Sequence, residues 1–278
     1  MSRANKAAVI IETRFRSNLI PLILHFKTVL GPSWPVLIYT SAESASRFAA
    51  SASLNRYLHA GSIEIRILPP DVLFTNSDSV NAFMTQKWLW ESLTPAEHIL
   101  VFQSDSMICG NAARSVDDYF DFDLVGAPIA TGLGQGYNGG LSLRKRSTIM
   151  RILNANNWQE AQLELSKESQ VENGASQVEK NVNRFEDQWY YQRMIELQAQ
   201  EKADGVQLDD EGAINLPSME IARTFSVETI DYPHPLGVHQ VHRWLKKEQH
   251  TVSLDEWCPE YKLCSTEHVD DTSAGKSA

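Results

Sequence analysis

Cysteine is scarce in this chain of 278 residues: Cys109, Cys258 and Cys264 are all there are, and none sits in a CxxC or CxxH pattern. A zinc cage built on thiolates is therefore excluded, and an odd number of cysteines cannot pair completely within one chain. Three reduced thiols are the expectation, with a Cys258 to Cys264 bridge as the alternative. Long apolar runs are also missing. The most apolar early stretch, Leu19 to Leu30, is short and interrupted by Pro21, His25 and Lys27, too little to span a bilayer. Basic excess is absent, since 25 Lys and Arg stand against 35 Asp and Glu for a net charge of -10. Unaided binding to a phosphate backbone needs clustered cations, so no nucleic-acid partner is expected. The first residues, Met1 to Lys6, run straight into a strand-like segment and leave no room for a signal peptide. A cytoplasmic chain is expected on that ground, with the secretory-pathway lumen as the alternative if residues precede Met1.

Several chemical signatures are missing as well. Gly132, Gly134 and Gly136 do not follow a strand in the G-x-G-x-x-G manner, and there is no GK[ST], no Gly-x-Ser-x-Gly elbow and no HExxH. Dinucleotide-binding, P-loop, serine-hydrolase and zincin readings fall with them.

The pattern that remains is alternation. Ala7 to Glu12 is a β-branched run, Leu19 to Leu30 recurs at helical spacing up to Gly31, and Pro35 to Thr40 is a second buried strand. A helix over 42–58, a strand over 63–68, a helix over 80–92 and a buried strand from His98 follow. The order β-α-β-α-β-α-β predicts an α/β fold with a mostly parallel, doubly wound central sheet flanked by helices. One domain over residues 1–265 is expected, with its core at about 7–245 and a disordered tail over 266–278. Short strands are expected at 124–128 and 141–144, and helices at 146–153 and 185–197. Residues 155–182 and 200–214 are rich in Glu, Gln, Asn and Ser, and read as polar mobile insertions. Trp88 and Trp90 read as helix packing rather than a sugar platform.

Ligands of open α/β sheets bind beyond the carboxyl ends of the strands. The polar residues predicted at such ends are Asp105, Asn138 with Gly139 and Gly140, Glu186 with Asp187, and His239. A strand-tip carboxylate with a distant histidine suits a divalent cation against a diphosphate, and a second carboxylate suits proton abstraction from a hydroxyl. Paired glycines allow close approach to the backbone. Each has a structural alternative. Asp105 would cap a turn, the two acids would complement a helix dipole, the glycines would form a bulge, and His239 and Arg14 would be a satisfied loop residue and a surface ion-pair residue.

Val101-Phe-Gln-Ser-Asp-Ser106, Gly126-Ala-Pro128, Tyr137-Asn-Gly-Gly-Leu-Ser-Leu-Arg144, Phe185-Glu-Asp187, Phe225-Ser-Val-Glu228 and Leu236-Gly-Val-His239 occur in this order. Together with Val9-Ile-Ile-Glu-Thr-Arg14 they resemble the fungal DUF5672 family over about residues 7–245, a family similar to GT-A-fold glycosyltransferases. The resemblance implies a GT-A-like fold and transfer of a sugar from a nucleotide-sugar donor to an acceptor hydroxyl, either inverting with Asp187 as general base or retaining with Asp187 only orienting the sugar or acceptor. It implies donor or diphosphate contacts from Thr13, Arg14, Ser104, Asp105 and Ser106, and an acceptor or sugar wall from Asn138, Gly139 and Gly140. It further implies catalysis by Asp187 with Glu186, and Mn²⁺ or Mg²⁺ held by Asp105 and His239. The usual Asp-x-Asp is here Ser104-Asp105-Ser106, with one carboxylate, leaving most of the coordination to phosphate oxygens and water. A non-catalytic sugar- or nucleotide-binding protein that retains the fold is the alternative.

Overall fold

The computed structural model describes residues 5–171, 184–207, 210, 212–245 and 254–265. The six-stranded sheet is built from β1 (Lys6–Ile11), β2 (Val36–Thr40), β3 (Ile63–Ile67), β4 (His98–Phe102), β6 (Leu124–Pro128) and β7 (Tyr137–Lys145), in the order β3-β2-β1-β4-β7-β6. The pairs β3-β2, β2-β1 and β1-β4 are parallel, and β7 runs antiparallel to both neighbours. A mostly parallel sheet flanked by helices is thus what the alternation predicts. The central strands read as continuous apolar runs because both faces are covered: every residue of β2 and all but the first of β4 are buried.

Helix α1 (Leu19–Leu30) buries Leu19, Leu22, Ile23 and Phe26, and Gly31 ends it at φ 78°. The helix expected over 42–58 is two, α2 (Ala42–Ala49) and α3 (Ala52–His59), because the Ser51 hydroxyl accepts from Leu54 N and caps a fresh start. The helix expected over 80–92 divides likewise into α4 (Ser77–Met84) and α5 (Lys87–Ser92), the first opened by an Asn76 capping box. Trp90 on α5 is fully buried, whereas Trp88 is 38% exposed.

The run from His98 to Cys109 is not one strand. A turn at 103–106 divides it into β4 and β5 (Ser106–Ile108), and β5 belongs to a second sheet with β8 (Ser226–Val227) and β9 (Gly237–His239), in the order β5-β9-β8. After β7 come α6 (Arg146–Ala155), α7 (Trp158–Val171), α8 (Glu186–Ala203), α9 (Met219–Phe225) and α10 (Val241–Trp244).

Two expectations need correction. The stretch 155–182 is not a bare insertion: residues 158–171 form α7, anchored where buried Trp158 meets Trp189 of α8 at a ring separation of 5.5 Å. The second polar stretch begins inside α8, which runs to Ala203. Residues 172–183 and the tail 266–278 lie outside the described residues. Nor are there three reduced thiols, because Cys109, just past β5, is bonded to Cys258, and Cys264 alone is free and buried. The segment 254–265 packs on β5 and α1 and thereby brings together two cysteines 149 residues apart. No helix among the described residues is long and apolar enough to cross a membrane.

Candidate active site

At the carboxyl end of β4 the chain turns on itself. Ser106 N donates to Gln103 O at 3.2 Å, while the Ser106 hydroxyl donates to Gln103 O and accepts from Gln103 N. Ser106 is fully buried, so its hydroxyl serves this turn rather than a donor molecule, and that expectation is corrected. Ser104 and Asp105 occupy the apex. Strand β9 then sets Asp105: the register places His239 opposite Ser106, and Gln240 follows with its backbone N on Asp105 O at 3.0 Å. Gln240 Nε2 donates to Asp105 Oδ2 at 2.7 Å, and His239 Nε2 stands 3.3 Å from Asp105 Oδ1. Gln240 has φ 45°, a left-handed conformation unusual for a residue with a side chain and the kind of strain held at functional sites.

His239 Nδ1 lies 3.3 Å from Glu228 Oε1, so the buried imidazole is flanked by a carboxylate on each side. Neither N–H points squarely at its acceptor, which makes these ion-pair contacts rather than well-formed hydrogen bonds. Burial alone would lower the His239 pKa, but the Asp105 and Glu228 carboxylates outweigh it and raise it to about 9. Burial likewise opposes ionisation of Asp105, and the imidazolium with Gln240 overcomes it, bringing Asp105 down to about 2. Both imidazole nitrogens face carboxylates at 3.3 Å, which leaves neither turned toward an ion, and among the described residues no group of three or more His, Cys, Asp or Glu is arranged to hold one. The donor set does not fit an ion held by Asp105 and His239.

The second half of the site hangs on a bulge. Strand β7 pairs with β6 at Gly126↔Ser142 and next at Ala127↔Asn138, so residues 139–141 loop out of that ladder. Arg144, farther along β7, is fully buried and grips Glu186 with two bonds, Nη1 to Oε2 at 2.7 Å and Nη2 to Oε1 at 2.8 Å. Its Nε donates to Ser142 Oγ at 3.0 Å. Both Glu186 oxygens are therefore held by a cation, which fixes the first turn of α8 against β7. Asp187, next in the chain, accepts from Gly139 N at 2.7 Å and Gln188 N at 2.7 Å. Burial and the neighbouring Glu186 charge raise its pKa to about 7, against the pull of Gly139 N, Arg144 and Gln188 N.

The glycine pair is required by the protein's own packing. A Cβ at Gly139 would collide with Arg144 and Glu186, and one at Gly140 would overlap the His239 ring. The close approach that glycine permits is taken up by protein side chains, and both glycines also line the cavity of the site. Asn138 does face the cavity; its Oδ1 accepts from Gly140 N at 2.8 Å, leaving the amide nitrogen without a partner among the described residues.

These groups meet around a cavity of about 530 Å³. Its lining carries Asn138, Gly139, Gly140, Asp187, Glu228 and His239, together with apolar residues including Val80, Ile129 and Leu133. Asp105 does not line it and reaches it through His239 and Gln240. Arg243 and Trp244 of α10 stand at the rim, the guanidinium 5.1 Å from the indole centroid. Thr13 and Arg14 lie along the same sheet edge, since Val9 opposite Val101 carries the end of β1 beside that of β4, but neither lines the cavity. The Thr13 carbonyl accepts from the hydroxyls of Ser41 and Ser44, while the Arg14 side chain is 71% exposed, with Glu12 3.8 Å away. Arg144, Glu228, Gln240 and Arg243 had no role assigned from the sequence. The only signal for the first two was their place inside the ordered motifs.

The profile of a family described as a protein of unknown function, DUF5672, matches residues 62–239, more than half of the chain. The chain belongs to the DUF5672 family. The matched span of this DUF5672 protein contains the Asp105 turn, the β7 bulge, Asp187 and His239. Two solved structures of the glycosyltransferase GlyE from Streptococcus pneumoniae TIGR4 are similar at low identity. The apo form is 14% identical with a TM-score of 0.43, over 87% of this chain and 55% of that one. The other is 13% identical with a TM-score of 0.46, over 95% and 61%. The chain thus spans less than two thirds of the length of either. The mannosyltransferase PcManGT from Pyrobaculum calidifontis, in complex with GDP-Man and Mn²⁺, is 8% identical with a TM-score of 0.35, over 53% of this chain and 46% of that one. No curated protein matches the sequence.

Proposed function

We propose that this DUF5672 protein is a GT-A-like glycosyltransferase that moves a sugar from a nucleotide-sugar donor to an acceptor hydroxyl in the cavity beside Asp187. The observation that carries the reading is Asp187 itself: a buried carboxylate on the cavity wall, oriented by two backbone N–H groups and poised near pH 7. As the base, Asp187 takes the acceptor O–H proton while that oxygen bonds to the anomeric carbon, and the bond from that carbon to the diphosphate breaks with its electron pair leaving on the nucleotide. Glu186 and Arg144 hold Asp187 in place. Asn138 offers its free amide N–H to the sugar or acceptor.

Arg14, with little to hold it at the end of β1, is the cation proposed to meet the diphosphate, and Arg243 at the cavity rim is the second. Asp105 acts through His239 and Gln240, fixing both in the cavity lining that also carries Asp187. The PcManGT complex contains Mn²⁺, but Asp105 and His239 do not fit as ligands here, and no step is assigned to an ion. The Cys109–Cys258 bond favours an oxidising compartment over the cytoplasm expected from the N-terminus.

The test is a panel of nucleotide sugars with and without Mn²⁺, reading donor binding by thermal shift and transfer by released nucleoside diphosphate. Release by the native chain, and loss of release with binding retained in Asp187→Asn, support the reading. Binding with no release from any donor favours the non-catalytic alternative, which the single carboxylate at 104–106 motivates.

A further inference from the structure

A second cavity, of about 680 Å³, lies between α5 and the α6–α7 connection and shares no lining residue with the first. Its chemistry differs too. Trp88 presents a partly exposed indole that packs at a steep angle against Phe83, at a ring separation of 5.4 Å. Around it are side-chain amides whose orientation the backbone sets. Gln86 Nε2 donates to Ala82 O at 2.9 Å and Asn156 Nδ2 to Ile152 O at 3.0 Å, which leaves each amide oxygen as an acceptor of known direction. Glu160 is steadied by Asn157 Nδ2 at 3.1 Å. Lys87 and Asn154 line the same cavity and make no hydrogen bond among the described residues.

We propose that this cavity binds a neutral saccharide. A partly exposed indole face matches the apolar C–H face of a pyranose, and oriented amides with one carboxylate and one ammonium match ring hydroxyls, which donate and accept at once. A phosphorylated or strongly anionic ligand is disfavoured, because Glu91 and Glu160 outnumber Lys87 on the lining. A purely apolar ligand would leave the amides desolvated and unpaired. The buried Trp158, also on this cavity, packs on Trp189 two residues beyond Asp187, so one indole separates the saccharide from the helix that carries the proposed base. The inference does not depend on the transferase reading.

The experiment is a titration of the intact protein with maltotetraose, cellotetraose and mannotetraose, followed on the indole N–H resonances, with Trp88 identified as the one missing in Trp88→Phe. At least one tetrasaccharide shifts the Trp88 resonance saturably. Asn154→Ala, an exposed substitution that leaves the packing intact, weakens that binding about tenfold. No saturable shift from any of the three, a shift confined to Trp244 in the first cavity, or unchanged affinity in both Asn154→Ala and Trp88→Phe overturns the proposal.

Discussion

Replacing Glu186 by glutamine separates the structural from the chemical part of the site. Arg144 has no exposed surface and Glu186 very little, and their two bonds of 2.7 and 2.8 Å are the main answer to the buried guanidinium charge. Burial alone would lower the Arg144 pKa and Glu186 more than reverses this; a guanidinium is not deprotonated in proteins, so the arginine stays charged when its partner is neutralised. Removing one member of such a pair costs about 3–5 kcal/mol, because the other charge is left buried and uncompensated. Glutamine can still accept one bond, which sets the expected loss near the lower end, about 3 kcal/mol. Urea unfolding followed by tryptophan fluorescence measures it, and Arg144→Met gives a comparable loss. The double variant restores at least ~2 kcal/mol of the sum, since each single change strands the other's partner. A second readout follows from the same geometry: with the Glu186 charge gone and Arg144 still in place, the Asp187 pKa falls from about 7, as a carbon-13 titration of its carboxyl would show. A loss below about 1 kcal/mol, additivity in the double variant, or an unmoved Asp187 titration would refute the reasoning.

Three further predictions follow from the same structure. His239 is raised to about 9 from an unfolded value near 6.5, so its stabilisation is fully present below about pH 6.5 and lost as pH rises through 9. The urea midpoint of the native chain therefore falls across that window by the equivalent of about 3 kcal/mol, and His239→Gln flattens the slope; equal slopes would count against the ion-paired imidazole. Closing a loop across 149 residues corresponds to about 5 kcal/mol on the chain-entropy account, so reduction of Cys109–Cys258 lowers the melting temperature by several degrees, and equal melting with and without reductant would contradict it. Gly140→Ala thrusts a Cβ into the His239 ring and destabilises the fold by about 1–3 kcal/mol, read by the same urea assay; a neutral result would mean that the ring is not seated there.

The strand and helix order of the first hundred residues was legible because both faces of the central sheet are covered, so strands such as Val36–Thr40 and Ile99–Phe102 are unbroken apolar runs. Helix breaks at Ser51 and Gln86 were not, since a single cap or turn residue inside a periodic stretch looks like one more surface position. Helix α7 was hidden for a different reason: its sequence is dominated by Glu, Gln and Ser, and buried Trp158 ties its start to the core. For the site, the sequence marked Asp105, Asp187 and His239 but could not assign partners far along the chain. The bond between Arg144 and Glu186 spans 42 residues, and the contacts of His239 with Asp105 and Glu228 depend on how β9 is registered against β5 and β8. The glycine pair was recognised as a place of close approach, and only the three-dimensional arrangement says that Arg144, Glu186 and His239 are what approaches.

The proposed transferase chemistry rests on Asp187 accepting a proton near neutrality, and release of nucleoside diphosphate from a responsive donor, measured between pH 5 and 9, tests it most directly. The rate is predicted to rise through an inflection near pH 7 in the native chain as Asp187 loses its proton, and to be lost in Asp187→Asn with donor binding unchanged. A donor that binds without release at any pH, or an Asp187→Asn variant that turns over like the native chain, would contradict it.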